Sequence, residues 1–378
     1  MGFTHLHVHT QYSILDGASS IPALMKKAKE DEMKAIAITD HGNLFGAKEF
    51  CNEAKSHGIK PIIGCEVYLA RRSRFKNTTK EDRGGYHLIL LAKNHTGYRN
   101  LVKLVSTGWI EGHYYKPRID KEILKEYSEG LIASTACLGG DIPSQILNES
   151  ASGLEASLAY YMETFGDDFY LELQRHPTGD PFFDDDTLAK QKKVNTRLME
   201  IALDKGIKLI ATNDVHFVNQ EDAEAHDRLI CLNTGKDLDD PTRMRYTKQE
   251  WFKTREEMAA LFADIPQALE NTQEITDKIE YYDLNHDPIM PDFPIPDEYE
   301  DADDYLYHLT MEGARNRYGD ITEDLQARID YELGVIKKMG FPGYFLIVQD
   351  FLDAARKMDV SVGPGRGSAA GSVVAYCN

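Results

Sequence analysis

A run of alternating histidine and apolar residues, His5-Leu6-His7-Val8-His9, constrains this chain more than any other stretch. In an extended strand successive side chains face opposite ways. That spacing predicts His5, His7 and His9 on one face, with Leu6 and Val8 in an apolar layer behind them. Two imidazoles at i and i+2 can share a metal ion or bracket a pair. Asp16 follows on a turn with Gly17 and can add an oxygen ligand. Hydrogen-bonded histidines on a polar strand face would give the same local pattern, so the rest of the chain must arbitrate.

Short apolar runs recur at 35–39, 59–70, 86–92, 130–134, 169–173 and 207–212. Most lack alternation, as expected of strands covered on both faces of a parallel sheet. Helical stretches separate them, at 21–32, 44–57 and 185–205 among others. Counting the first, seven strands alternating with helices predict an α/β fold with a parallel sheet. Closure into a (β/α)7 barrel suits the candidate ligands, which come from many strands. An open doubly wound sheet would concentrate its site at one switch point.

Near Asp283 the composition changes. Pro288, Pro291, Pro294 and Pro296 stand among many acids, which reads as a linker over 283–303. It separates a metal-binding barrel over 1–282 from a mostly helical segment over 304–378. That segment closes in the glycine-rich stretch Val362 to Ser372, and the chain stops at Asn378 inside an unfinished element, as a piece of a longer protein would.

Five scattered cysteines with no CxxC pair argue for a reducing, cytoplasmic setting and against a disulfide framework. No apolar run approaches the ~20 residues of a membrane span. The net charge of −19 disfavours tight independent binding to DNA or anionic membrane, while acidic surroundings suit a site that concentrates divalent cations.

In a parallel barrel the reactive groups gather where strands end, on the βα loops. His7 and His9, Asp16, His41, Glu66, Cys137, Asp214 and His216 all fall at or near such ends. His87 opens its strand, so position alone leaves its role undecided. A set of imidazoles and carboxylates with one thiol suits zinc, manganese or iron better than calcium. Carboxylates can bridge, so two or three metals are feasible, and metal-assisted phosphoester hydrolysis is the natural chemistry. Asp40 is expected to orient a ligating imidazole through its other nitrogen.

The stretches HLHVHTQYSILDG and ITDHGNLFG resemble the PHP (polymerase and histidinol phosphatase) domain. GCEVYLA, YHLILLAKNHTGYRNL, YYKPRID, ASTACLGG and TNDVHF resemble the version that opens bacterial C-family replicative polymerases, and FPGYFLIVQDF with VGPGRGSAAGS resembles the start of that family's palm. The resemblance covers nearly the whole chain. It implies a distorted seven-stranded barrel and nine ligands around a trinuclear cluster: His7, His9, Asp16, His41, Glu66, His87, Cys137, Asp214 and His216. His9, Asp16 and Asp214 are the expected catalytic residues, with metal-activated water attacking a terminal 3′ phosphodiester in a 3′–5′ proofreading exonuclease. Two to three divalent metals are implied, zinc or manganese first and iron as an alternative, with magnesium for the full-length polymerase. The implied partners are primer–template DNA, dNTPs, a sliding clamp and other replisome subunits. Two other readings stay open: a structural and interaction module, and a small-molecule phosphatase of the histidinol-phosphate type.

The resemblance also implies that Gly365, Arg366, Gly367 and Ser368 approach a nucleotide triphosphate, with backbone N–H groups on phosphate. The palm carboxylates would follow Asn378, so the chain alone is not expected to polymerise DNA. Two basic stretches could meet a single strand: the loop Arg71–Arg83, with six cations, and Tyr114 to Arg118, where aromatics could stack while Lys116 and Arg118 touch phosphates. Solvated surface turns are the alternative for both.

Overall fold

A computed structural model describes residues 2–287, 289–363 and 367–378. Contacts divide the chain into two compact units, 1–284 and 285–378. The first unit is built on a curled mixed sheet of seven strands among the described residues. These are β1 (Ala35–Ile38), β2 (Lys60–Leu69), β3 (Tyr86–Ala92), β4 (Arg118–Ile119), β5 (Leu131–Ser134), β6 (Phe169–Gln174) and β7 (Lys208–Thr212). Their order is β1-β2-β3-β5-β6-β7, with β4 paired to β2. The result is a distorted (β/α) barrel with helices packed around it.

The sheet is not all parallel. β3 runs antiparallel to both β2 and β5, while β1–β2, β5–β6 and β6–β7 are parallel. A single reversed strand inverts one set of ends: the beginning of β3 lies on the side where β1, β2, β5, β6 and β7 finish. His87, second residue of β3, therefore starts its strand and still reaches the mouth.

The N-terminal run is extended without being a regular strand. It spans the gap between the sheet's two ends, because each side offers it hydrogen bonds. Ala37 N–H donates to His5 O and Thr39 N–H to Val8 O, both at 2.9 Å. On the other side His9 N–H donates to Val215 O at 2.7 Å and Val215 N–H to His7 O at 3.1 Å. Switching partners along its length breaks the expected alternation. Leu6 packs with Ile89, Ile132 and Ile210 in a small inner cluster, whereas Val8 joins the larger core beneath the helices. His5 turns away as well: its Nε2 lies 2.7 Å from Lys253 O, among Phe3 and Phe252.

The surrounding helices follow apolar spacing. In Ile21–Glu30 the buried residues are Ile21, Leu24, Met25 and Ala28, one stripe at helical period. No helix among the described residues is long and apolar enough to cross a membrane. In the second unit, helices Ala302–Tyr318 and Glu323–Lys338 start at side-chain caps from Asp301 and Thr322. With Pro342–Lys357 they enclose Leu306, Ala314, Ile329 and Leu346. Glu332 accepts from Ser372 Oγ at 2.8 Å and Val374 N–H at 3.1 Å, which ties the last helix, Val373–Cys377, into this core.

Candidate metal centre

The N-terminal segment and the ends of β1, β2, β3, β5 and β7 deliver ligand-type residues to the same mouth. His7 and His9 come from the bridging segment and His41 follows β1, where it pairs with Glu66 of β2 in a parallel bridge. His87 opens β3, held by its N–H donating to Gly139 O at 3.0 Å. Cys137 follows β5, and Asp214 and His216 follow β7. Two backbone positions here are strained: Ala136 has φ 56° and Asp214 φ 50°, in a left-handed region that residues other than glycine seldom adopt. Such strain gathers at functional sites. Asp16 depends on a close approach, since a Cβ on Gly17 would lie 1.9 Å from Thr10 O.

The side chains converge closely. His7 Nε2 lies 3.0 Å from Asp214 Oδ1 and 3.4 Å from Glu66 Oε2. His9 Nε2 lies 3.0 Å from the same Glu66 oxygen and 3.3 Å from the same Asp214 oxygen. His41 reaches Glu66 Oε2 with Nδ1 at 3.1 Å and Asp16 Oδ1 with Nε2 at 3.3 Å. His87 Nδ1 contacts Glu66 Oε1, and Cys137 Sγ lies 3.6 Å from His87 Nδ1. Three groups bring one ligand atom each within 4.8 Å of one another: His9, His41 and His216; His7, His9 and Glu66; and Glu66, His87 and Cys137. Glu66 belongs to two of these groups and can bridge.

The hydrogen-bond network fixes which nitrogens face inward. Glu172 Oε1 lies 2.6 Å from His7 Nδ1. A carboxylate there accepts a hydrogen bond from Nδ1–H, so in the neutral ring Nε2 is a bare lone pair. Ser13 Oγ donates to Asp40 Oδ1 at 2.8 Å, so it accepts from His9 Nδ1 at 3.0 Å and again leaves Nε2 bare. Yet these two Nε2 atoms are only 3.1 Å apart, and both face carboxylate oxygens. Lone pairs meeting carboxylates in a buried site need a cation. Asp16 Oδ1, His41 Nδ1, Glu66 Oε1 and Asp214 Oδ1 are buried without a hydrogen-bond partner, which is the arrangement a resident divalent ion would satisfy.

Without a metal ion, a proton on the imidazoles can serve as that cation. Burial opposes ionisation of Glu66 and Asp214, but neighbouring imidazoles outweigh it and hold both carboxyls well below the usual range. Asp16 is lowered in the same way by His41, His216 and His9. Burial likewise opposes protonation of His7 and His41, and adjacent carboxylates raise both nonetheless. His216 is pushed down to about 3 by burial and by His9. Burial raises the Cys137 thiol, helped by Asp214 and Glu66, so the thiol binds metal only at the expense of a proton.

Sequence reasoning missed part of this support. Glu172 sits mid-strand in β6, buried, and also accepts from Ser134 Oγ at 2.6 Å and Thr212 Oγ1 at 2.5 Å. A lone carboxylate inside the buried run Phe169–Gln174 was the available signal, but attention to strand ends passes over it. Tyr246 is another omission. Its hydroxyl lies 2.9 Å from Asp16 Oδ2 and 3.2 Å from His216 Nε2. Asp40 acts one residue further out than expected: it accepts from Thr10 and Ser13 and reaches His9 only through Ser13.

Other expected residues lie elsewhere or are engaged. His5 is outside the cluster. Arg118 is buried and donates to the carbonyls of Gly112, Lys76, Asp82 and Arg74, so it cannot touch a phosphate. Within the basic loop Arg72 pairs with Asp82, and Arg74 with Glu111 and Asp120. Of the glycine-rich stretch, Gly365 and Arg366 lie outside the described residues, as does the Ser368 side chain. Gly367 opens the short turn Gly367–Gly371 with φ 73°.

A curled mixed sheet carrying histidines and carboxylates at its mouth defines a PHP-type domain, and the PHP domain family matches residues 5–176. The Bacterial DNA polymerase III alpha NTPase domain family matches residues 304–378. The chain belongs to the family of bacterial DNA polymerase III alpha subunits. It is 49% identical to the Borreliella burgdorferi DNA polymerase III subunit alpha over 99% of this chain and 32% of that protein. Identity to the Treponema pallidum counterpart is 45%, over 100% of this chain and 32% of that one. The chain thus spans about a third of the length of the curated relatives it matches. A Bacteroides vulgatus two-domain protein containing a predicted PHP-like metal-dependent phosphoesterase aligns at 17% identity and a TM-score of 0.38, over 71% of this chain and 62% of that one, too loosely to add to the family match.

Proposed function

We propose that the cluster holds two or three divalent ions and hydrolyses phosphodiesters at the 3′ end of a DNA strand, as a proofreading exonuclease within a replicative polymerase. The observation that carries this reading is the close meeting of two imidazole nitrogens with Glu66 and Asp214 in a buried site with unsatisfied acceptors. His7, His9, Asp16, His41, Glu66, His87, Asp214 and His216 would hold the ions, with Cys137 at the edge beside His87. Bound ions would supply positive charge to the phosphate oxygens and a lowered pKa for water.

The chain's own groups do the rest. Glu172 and Ser13 hold the imidazole protons on the outer nitrogens. Tyr246 donates to Asp16 and keeps its proton, its pKa raised well above normal by burial and by Asp16. The side chains of His41, Asp214 and His87 are 13%, 13% and 26% exposed, which leaves an open side for a strand terminus.

The same burial favours a second reading, in which the ions only brace the barrel, because His7, His9 and Glu66 are almost wholly enclosed. One assay separates the two. A labelled single strand is incubated at low salt with zinc or manganese, and the chain is compared with an identically prepared His9→Ala/Asp214→Ala variant. Shortening from the 3′ end by the parent alone is the expected result. Equal traces in both preparations would leave the structural reading.

A further inference from the structure

Beside the metal centre lies a second cavity, of about 310 Å3, lined by Phe182, Phe183, Arg243, Arg245, Tyr246 and Lys248, with Asp227 at its wall. The two sites share Tyr246, which lines the cavity and whose hydroxyl donates to Asp16. They also share a wall in sequence: His226, next to Asp227, lies with Nε2 2.7 Å from Asp16 O. A group seated in the cavity is therefore one side chain away from the candidate ligands.

Its chemistry is unusual for so acidic a chain. Three cations line it against a single carboxylate. Asp227 is committed to Arg243 through two contacts of 2.6 and 2.8 Å. Lys248 pairs with Glu224 at the surface, where water screens the pair and leaves it exchangeable. Arg245 has no carboxylate partner among the described residues. It donates to Asp240 O at 3.2 Å, and its guanidinium lies 5.6 Å from the centre of the Phe182 ring.

Phe182 is 62% exposed, an aromatic face turned to solvent rather than into the core. It is held in place. Phe182 N–H donates to Asp180 Oδ1 at 2.9 Å, Thr178 and Gly179 N–H donate to Asp184 at 2.9 Å, and Phe183 packs edge-on at 4.9 Å. An exposed ring on an anchored backbone, beside a guanidinium without a carboxylate partner, suits a flat base stacked on the ring with its phosphate on the cation. A small phosphomonoester would use the cation and leave the ring unused.

We infer that this cavity is a nucleotide subsite, resting on the hydrolytic reading of the adjacent centre: Phe182 stacks a base and Arg245, assisted by Lys248, takes the phosphate of a nucleotide neighbouring the bond to be cut. It assigns strand binding to residues outside the basic loop Arg71–Arg83, two of whose six cations, Arg72 and Arg74, are paired within the protein.

The test is equilibrium binding in EDTA, so that no cleavage occurs, read by fluorescence anisotropy of labelled oligothymidylate and by competition with dTMP and inorganic phosphate. The parent is compared with Phe182→Ala, Arg245→Ala and, as a control for lost surface charge, Arg197→Ala. Unchanged melting temperatures establish that all three fold. Each subsite variant should weaken oligothymidylate and dTMP roughly tenfold, with Arg197→Ala close to the parent. Parent-like binding by Phe182→Ala and Arg245→Ala overturns the subsite, as does an equal loss in Arg197→Ala. If Arg245→Ala alone weakens binding and dTMP competes no better than phosphate, the nucleotide assignment falls. Binding is read apart from cleavage: a chain that degrades DNA while both variants bind normally keeps the hydrolytic reading, and one that binds through these residues without degrading DNA keeps only the subsite.

Discussion

Glu172 Oε1 lies 2.6 Å from His7 Nδ1, with both side chains fully buried. The contact sets the tautomer that aims His7 at the centre, although Glu172 would touch no ion itself. Glu172→Gln replaces an acceptor with a group that can donate, so His7 loses its enforced orientation and basicity. Metal affinity, measured by competitive chelator titration, should fall roughly 10- to 100-fold, with the far-ultraviolet spectrum unchanged.

Metal binding should stabilise the first unit, because the cluster gathers in the folded chain alone. At a free zinc or manganese concentration 100 times the dissociation constant, the gain is about 2.7 kcal/mol. Calorimetry should show a higher melting temperature with metal than with EDTA. In His9→Ala/Asp214→Ala the difference between the two scans should shrink, since only the group Glu66, His87 and Cys137 stays whole.

Gly17 leaves no room for a side chain, its Cβ position being 1.9 Å from a backbone oxygen. Gly17→Ala must displace the loop that carries Asp16, at a cost of roughly 1–3 kcal/mol. Urea unfolding should show that loss, and metal affinity should drop with it.

His5 provides a pH signature independent of the ligands it neighbours in sequence. Burial lowers its pKa from 6.5 to about 3, against the hydrogen bond to Lys253 O and with smaller help from the Lys253 and Lys27 charges. Below 6.5 the unfolded chain binds a proton that the folded chain refuses, so this contribution to stability is intact above 6.5 and declines as pH falls toward 3. In EDTA, the slope of unfolding free energy between pH 6 and pH 4 should be shallower in His5→Gln, by up to ~1.4 kcal/mol per pH unit.

Arg118 holds three carbonyls of the Arg71–Arg83 loop, those of Arg74, Lys76 and Asp82, against β4, and a fourth at Gly112. Arg118→Lys keeps the charge but has fewer donors in the wrong geometry, and each orphaned carbonyl costs about 1–3 kcal/mol. Limited trypsin digestion should cut that loop sooner in the variant, before any other site.

Much of this was legible in the sequence because strand ends collect ligand-type residues. His7, His9, Asp16, His41, Glu66, Asp214 and His216 stand out on that ground, and the structure brings them together. His87 did not, since apolar periodicity carries no strand direction and β3 alone is reversed. Glu172 and Tyr246 were hidden for another reason. One lies inside a strand and the other far along an irregular loop, and their roles exist only through contacts at sequence separations of 165 and 230 residues. Arg118 misled because a cation beside tyrosines looks the same whether it meets solvent or backbone carbonyls.

The reversal of β3 also places the chain between β2 and β3 at the rim of the mouth, since it leaves the finishing end of one strand and enters the starting end of the next. A crossover between parallel strands would have to traverse the barrel, whereas this connection only turns back. Residues can be inserted there or removed without shifting the register of any ligand-bearing strand. The Arg71–Arg83 segment is therefore the place where a barrel of this topology can acquire a new neighbour at its entrance, by drift or by grafting, while its interior stays unchanged.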